Sequence, residues 1–257
     1  MLMIFYMKKK VTSNLIPKCE LIYEEKLGSL SHYARFRISN LEVGQAKTMG
    51  IAIRRTLLGN IASLRIKSVF IDGAFHEYST IPGVRECIHD ILANLKEIVF
   101  RGESSNNIKA YVDFKGPGIV TSKNLCFLPN QNFVEVLDIN QYIAKIETET
   151  ELRLELIINS FQENIFKNNT IESKELSNKQ EKKTFLQQPN FCIDGYSSPI
   201  RNENHYIEKS LTSSNKENLM IEIWTNGALT PIESLQKALQ TLSFIFSLDI
   251  ETNDISI

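Results

Sequence analysis

A chain of 257 residues is long enough for one large domain or two modest ones, and 42% hydrophobic with 23% charged residues exclude wholesale disorder. A formal net charge of −1 excludes a protein held to nucleic acid by phosphate contacts, which would show a basic excess or stripe. Cys19, Cys87, Cys126 and Cys192 form no CxxC pair, so the expectation is buried thiols in a reducing compartment, with no zinc site and no disulfide framework.

The apolar run at residues 1–7 is too short to span a bilayer. Its lysines, Lys8 to Lys10, follow the run where a signal peptide would place them first, and no Arg/Ser-rich transit sequence is present. Synthesis in the compartment of use, away from membranes, is expected. Residues 31–39 alternate, with His32, Ala34, Phe36 and Ile38 on one side and Tyr33, Arg35 and Arg37 on the other, which predicts a half-buried strand. Over residues 43–62 the period becomes helical. Ala46, Met49, Ile53, Leu57 and Ile61 form one apolar stripe, and Ile51, Arg55, Leu58 and Ala62 lie nearly opposite. A surface helix keeps its second face polar, so this one is expected to bury that face, inside its own domain or against a partner.

Residues 64–71 alternate again, and Asp72-Gly73 marks a turn. Residues 83–99 predict an amphipathic helix through Val84, Ile88, Ile91, Leu92, Leu95 and Ile98, with Pro82-Gly83 at its start. Strands are predicted at 108–114, 133–137, 142–146 and 151–158, with a tight turn at Lys115-Gly-Pro-Gly118, so the middle of the chain reads as mixed α+β. Residues 159–190 are too polar to offset their ordering entropy and predict a long, mobile loop. Strand-like segments return near Tyr206 and at 219–224, followed by a turn at Asn226-Gly227.

The last helix has the strongest local start signal, with Thr230 at N-cap, Pro231 at N1 and Glu233 at N3. Ile232, Leu235, Leu239, Leu242 and Phe246 line one face, Ala238 and Ile245 widen it, and Phe244 and Leu248 fall on the other side. A helix apolar on more than one face is expected to pack on a partner, a second copy of the chain being the common case. One pair suggests chemistry: His76-Glu77, with Asp72 nearby, could serve a metal-dependent hydrolase. The zincin pattern needs a His three residues after the Glu, and position 80 is Thr. A free-standing DNA-binding factor is a further alternative, opposed by the missing basic stripe.

The run Gly44-Gln-Ala-Lys-Thr-Met-Gly-Ile-Ala-Ile-Arg-Arg-Thr-Leu-Leu58 resembles the helix Gly-x-x-x-Thr-(Leu/Met)-Gly-x-(Ala/Ser)-(Leu/Ile)-Arg-Arg-x-Leu-Leu of the α subunits of bacterial-type, multi-subunit DNA-directed RNA polymerases. Ile71-Asp-Gly-Ala-Phe-His-Glu-Tyr-Ser-Thr80, Gly83-Val, Ile91-Leu-Ala-Asn-Leu-Lys96, Gly118-Ile-Val-Thr121, Ser198-Pro-Ile-Arg201 and Thr225-Asn-Gly227 follow in the family's order. The resemblance covers nearly the whole chain as that family's N-terminal assembly domain. It implies an α+β fold in which residues 1–62 and 191–257 build a dimerisation subdomain, two main helices on an antiparallel sheet. Residues 63–190 would then form an inserted, mostly antiparallel subdomain.

The resemblance also implies a homodimer that captures the β and β′ subunits, with β″ a further candidate. Sigma factor would be met through the holoenzyme, DNA only indirectly, and no membrane is involved. Arg54 and Arg55 match the family's β-binding arginine pair, with Leu58 one turn on and Ile51 beside them, and Lys96 matches a second contact position. Of the pair, Arg55 is favoured over Arg54 as the anchor because apolar residues ring it, a solvated charge being the bland alternative for Arg54. The dimer interface falls to Leu57, Ile61, Leu235, Leu239, Leu242, Phe244 and Phe246. No catalytic residue, metal or cofactor is implied in this chain, since Mg²⁺ and Zn²⁺ belong to the catalytic subunits.

Two departures from the family pattern are visible. Asn159-Ser-Phe-Gln-Glu-Asn-Ile-Phe166 stands where the family carries a basic Gly/Arg-rich segment, and the 257 residues are expected to hold no counterpart of the family's small DNA-binding helical domain. Together with the Asn/Lys/Ile-rich drift they suggest an AT-rich, reduced plastid genome and a plastid (chloroplast) stromal location, the bacterial cytoplasm being the alternative. A diverged α-like subunit with a reduced partner set is the alternative within the family.

Overall fold

The computed structural model describes residues 17–102, 107–128, 134–160, 190–193, 198–209 and 216–247. The N-terminal apolar run, residues 161–189 of the predicted loop and Leu248 lie outside them. In chain order the described strands begin with β1 (Lys18–Lys26), β2 (His32–Glu42), β3 (Leu64–Ile71), β4 (Phe100–Gly102), β5 (Ile108–Lys115), β6 (Gly118–Thr121) and β7 (Cys126–Phe127). They continue with β8 (Val134–Val136), β9 (Tyr142–Ile146), β10 (Glu151–Ser160), β11 (Asn190–Cys192), β12 (Ile200–Lys209) and β13 (Lys216–Thr225). Three α-helices accompany them among the described residues: α1 (Gln45–Asn60), α2 (Ile88–Lys96) and α3 (Pro231–Phe246). The class is α+β. Contacts divide the chain into Met1–Ile61 with Ser198–Ile257, and Ala62–Ser197.

In the first unit the alternation of β2 is expressed directly. His32, Ala34, Phe36 and Ile38 are buried, while Tyr33, Arg35 and Arg37 on the other face are half-buried. The sheet order is β1-β2-β13-β12, all antiparallel. Ala34, Phe36 and Ile38 join Leu219, Ile221 and Ile223 of β13 in one core with Ala46, Ile53 and Leu57 of α1 and Leu235 and Ala238 of α3. α3 begins as its sequence requires: Glu233 N donates to Thr230 Oγ1 at 3.2 Å and Thr230 N donates to Glu233 Oε2 at 2.9 Å. β1 carries no apolar alternation and is exposed almost throughout, so its strand is set by pairing with β2 and not by burial of its own side chains.

The second unit is built on a five-stranded antiparallel sheet of order β11-β3-β10-β5-β7, with two-stranded pairs β4-β8 and β6-β9. Leu152, Leu154, Leu156 and Ile158 of β10 are buried with Leu64, Ile66 and Ile71 of β3, Ile108, Ala110 and Val112 of β5, and Ile88, Ile91, Leu92 and Leu95 of α2. The helix expected over 83–99 is shorter, because the chain before Ile88 is held in a turn. Gly83 sits at φ +86°, Thr80 and Cys87 form a bridge, and Val84 bridges to Ile146. Glu86 accepts the Lys145 backbone N–H at 2.8 Å and the Tyr142 hydroxyl. Burial, reinforced by that carboxylate, pushes the Tyr142 phenol up to about 12, so it remains a donor at neutral pH.

Three further expectations are corrected. Asn159 and Ser160 continue β10, while Asn190–Cys192 pairs with β3 and places Phe191 in the second unit's core. Residues 191–193 therefore belong with the insert and not with the dimerisation subdomain, because Phe191 and Ile193 are buried there. The thiols are not buried either: Cys19, Cys126 and Cys192 are exposed and Cys87 is half-buried, all unbridged. The three exposed ones lie on β1, β7 and β11, each an edge strand.

α1 reaches the sheet closely at Gly50, where an added Cβ would stand 2.6 Å from His205 Cδ2 and 3.2 Å from Leu219 Cδ1. Alanine there would recover about 1 kcal/mol of helix propensity but force a methyl into packed side chains. The expected net effect of Gly50→Ala is a destabilisation of roughly 1–2 kcal/mol. Thermal melting checks it; an unchanged or raised Tm would show that α1 can lift from the sheet freely.

Candidate functional site

α1 presents two unlike faces. The stripe Ala46, Ile53, Leu57 and Ile61 is buried in the core of its own unit. On the opposite side Ile51 is 53% exposed, Arg55 is exposed and Leu58 is half-buried against the core. Among the described residues no hydrogen bond or ion pair engages the Arg55 guanidinium. A cation between aliphatic side chains and without an internal partner is the arrangement of an interface anchor.

Arg54, one residue earlier, is differently used. Its Nη1 donates to Glu203 Oε2 at 2.8 Å and also to the Glu203 carbonyl oxygen. The Glu203 side chain has no solvent exposure, and its Oε1 lies 3.0 Å from His205 Nδ1. Arg54 is thus more than a solvated charge, although its side chain, tied to Glu203, keeps 46% of its exposure. Register supplies the signal that sequence reading missed, since Glu203 stands opposite Ile223 and His205 opposite Ile221, both core residues. Lys96 is exposed in the last turn of α2, in the second unit. Ile51, Arg54, Arg55 and Leu58 come together on one helix; Lys96 is not part of that helix face.

The residues assigned to a dimer interface separate into two groups. Leu57, Ile61 and Leu235 are buried inside a single chain and offer no surface, which corrects their assignment. They fill the space between the helices and the sheet. Leu242 is half-buried, whereas Leu239 (38%), Phe244 (76%) and Phe246 (71%) are exposed. Ile232, Leu239 and Phe246 recur every seven residues along the exposed margin of the stripe whose Leu235 and Leu242 pack on the core of the same unit.

Asp72, His76 and Glu77 are all exposed, and among the described residues no three His, Cys, Asp or Glu side chains gather as a metal cage needs. The His76 carbonyl accepts from Ser79 N at 3.0 Å, so this segment is a structured turn. No described helix is long and apolar enough to cross a membrane.

The two faces of α1 make opposite predictions for stability. Arg55→Ala should change it by no more than about 0.5 kcal/mol, as at other exposed sites. Leu57→Ala, at a fully buried position, should cost roughly 2–5 kcal/mol. Denaturant or thermal melts of the two variants side by side check the assignment.

Residues 69–180, inside the second unit, match the family model of the RNA polymerase Rpb3/RpoA insert domain. A DNA-directed RNA polymerase subunit alpha of Zygnema circumcarinatum is 39% identical over 229 residues, covering 88% of this chain and 59% of that protein. Those of Chara vulgaris (40% over 218 residues; 84% and 56%) and Psilotum nudum (39% over 241 residues; 92% and 65%) are similar in the same way. The chain spans about three fifths of the length of the curated relatives it matches. Most of this chain's length thus aligns at about 39% identity with DNA-directed RNA polymerase α subunits, and its second unit carries their insert domain.

Proposed function

We propose that the chain is an assembly subunit of a multi-subunit, plastid RNA polymerase. It dimerises and presents two copies of one surface on which the β and β′ subunits, and β″ where present, are gathered. The observation that carries this reading is the outward face of α1, with Arg55 unpaired among the described residues between exposed Ile51 and half-buried Leu58. A two-fold dimer displays that face twice, so a symmetric seed starts an asymmetric enzyme. Nucleotidyl transfer, with the Mg²⁺ it requires, belongs to the partners; this chain contributes position, not chemistry. Sigma factor and promoter DNA are met through the assembled enzyme, in the plastid stroma.

The dimer is assigned to the exposed apolar residues toward the end of α3. Aromatic and aliphatic side chains as open as Phe244, Phe246 and Leu239 are what a second copy would cover. Placing a charge there, as Leu239→Glu with Phe246→Glu, should yield monomers while leaving the core untouched. Analytical ultracentrifugation at micromolar concentration reads the result. A parent chain that sediments as a stable monomer would remove the dimer from the proposal.

Partner capture tests the α1 face. Arg55→Ala should weaken binding of the polymerase β subunit by about 2 kcal/mol or more, a factor of about thirty. The variant dimer should keep its melting temperature. Capture of β at parent strength by Arg55→Ala would show that this face is not the assembly surface.

A further inference from the structure

We infer that Arg54, Glu203 and His205 form a positioning device for the assembly face, and that Arg54 itself stays out of the partner contact. The inference rests on the reading of the α1 face as the β-binding surface. It begins from an expensive choice of residue. Glu203 occupies a core-facing position on β12, opposite Ile223, and its carboxylate is shut off from solvent. A buried carboxylate is tolerated only when paired, and such a pair adds little net stability over apolar residues of similar size. What it supplies is a defined arrangement.

The arrangement fixes the rotation of α1 about its own axis. Gly50 rests on the His205 ring and Arg54, one turn later, reaches Glu203. The two points are joined below the helix by the 3.0 Å contact of Glu203 Oε1 with His205 Nδ1. Two linked contacts one turn apart hold a helix against rolling. At about 3.6 residues per turn, Arg55 stands roughly 100° around the helix from Arg54. The inward hold on Arg54 therefore sets the direction in which Ile51, Arg55 and Leu58 point. The adjacent arginines divide the work: one seats the helix, the other is left for the partner.

The test uses the full chain and four variants: Arg54→Met, Glu203→Met, the double Arg54→Met/Glu203→Met, and Arg54→Lys. Melting temperature and capture of purified β are measured for each. Arg54→Met alone leaves the buried carboxylate with only its His205 contact and should weaken β capture roughly tenfold. The double variant reseats α1 on an apolar pair and should restore capture to within about threefold of the parent. Arg54→Lys, which keeps the ion pair, should also capture β near parent strength. If the double variant melts like the parent yet captures β as poorly as Arg54→Met, then Arg54 touches β and the inference is overturned. The inference also fails if Arg54→Met captures β normally. Should the double variant not fold, Arg54→Lys decides, and a loss equal to that of Arg54→Met overturns it. Arg55→Ala in the same assay keeps the two readings apart: normal capture there rejects the assembly face itself, whatever the Arg54 variants do.

Discussion

The close seating of α1 on the β1-β2-β13-β12 sheet governs what the first unit can offer a partner. A helix that lies this near the strands must give up a side chain somewhere, and it does so at Gly50, against His205 and Leu219. Everything facing the sheet from α1 is then consumed: Ala46, Ile53 and Leu57 have no exposure left. The outward face is freed by the same packing that buries the inward one. Ile51 is left open there, Leu58 is only half taken up by the core, and among the described residues Arg55 has no partner, which is the basis for proposing this face as a contact surface.

The two buried carboxylates of this unit, Glu222 and Glu203, are each paired with an arginine. Glu222 on the outer face of β13 is held by Arg35 at 2.8 Å and by the Tyr33 hydroxyl at 3.1 Å. Desolvation, more than the Glu222 carboxylate, raises the Tyr33 phenol above its ordinary value. Tyr33 in turn packs against Trp224 in a tilted pair, with ring centroids 5.0 Å apart. Glu203 is the counterpart on the helix-facing side, where burial is complete and pairing must be correspondingly exact in charge. Both carboxylates tie strands to elements far away in the chain, and neither takes part in catalysis in the function proposed.

Much of the fold was legible because alternation and helical period report burial directly, as in β2, β10 and the capped start of α3. Three things were not. β1 has no buried face, so its side chains carry no strand signal and only its backbone pairing makes it one. The turn before α2 continues a helical apolar period through Val84, and the period cannot reveal that Glu86 is engaged by a strand 59 residues away. The Arg54–Glu203 pair spans 149 residues, so no local pattern marks it. At the site, exposed Arg55 and the open end of α3 could be read from apolar residues on the wrong side of a helix. The same reasoning overreached at Leu57, Ile61 and Leu235, where the apolar residues belong to the core.

The first unit is assembled from two distant stretches of chain, and this has a consequence for how the protein comes into being. Arg35 and Glu222, neighbours in the finished sheet, are separated by 187 residues. At a synthesis rate of roughly 5–20 residues per second, β2 and α1 wait on the order of ten seconds or more before β13 is made. During that interval Phe36, Ile38, Ile53 and Leu57 lack Leu219, Ile221 and Ile223, the strand that completes their core. The intervening unit has all of its own sheet partners within Ala62–Ser197 and can close first. The nascent chain therefore carries a finished body beside an unfinished one, and the half-built layer is what a ribosome-associated chaperone would have to shield.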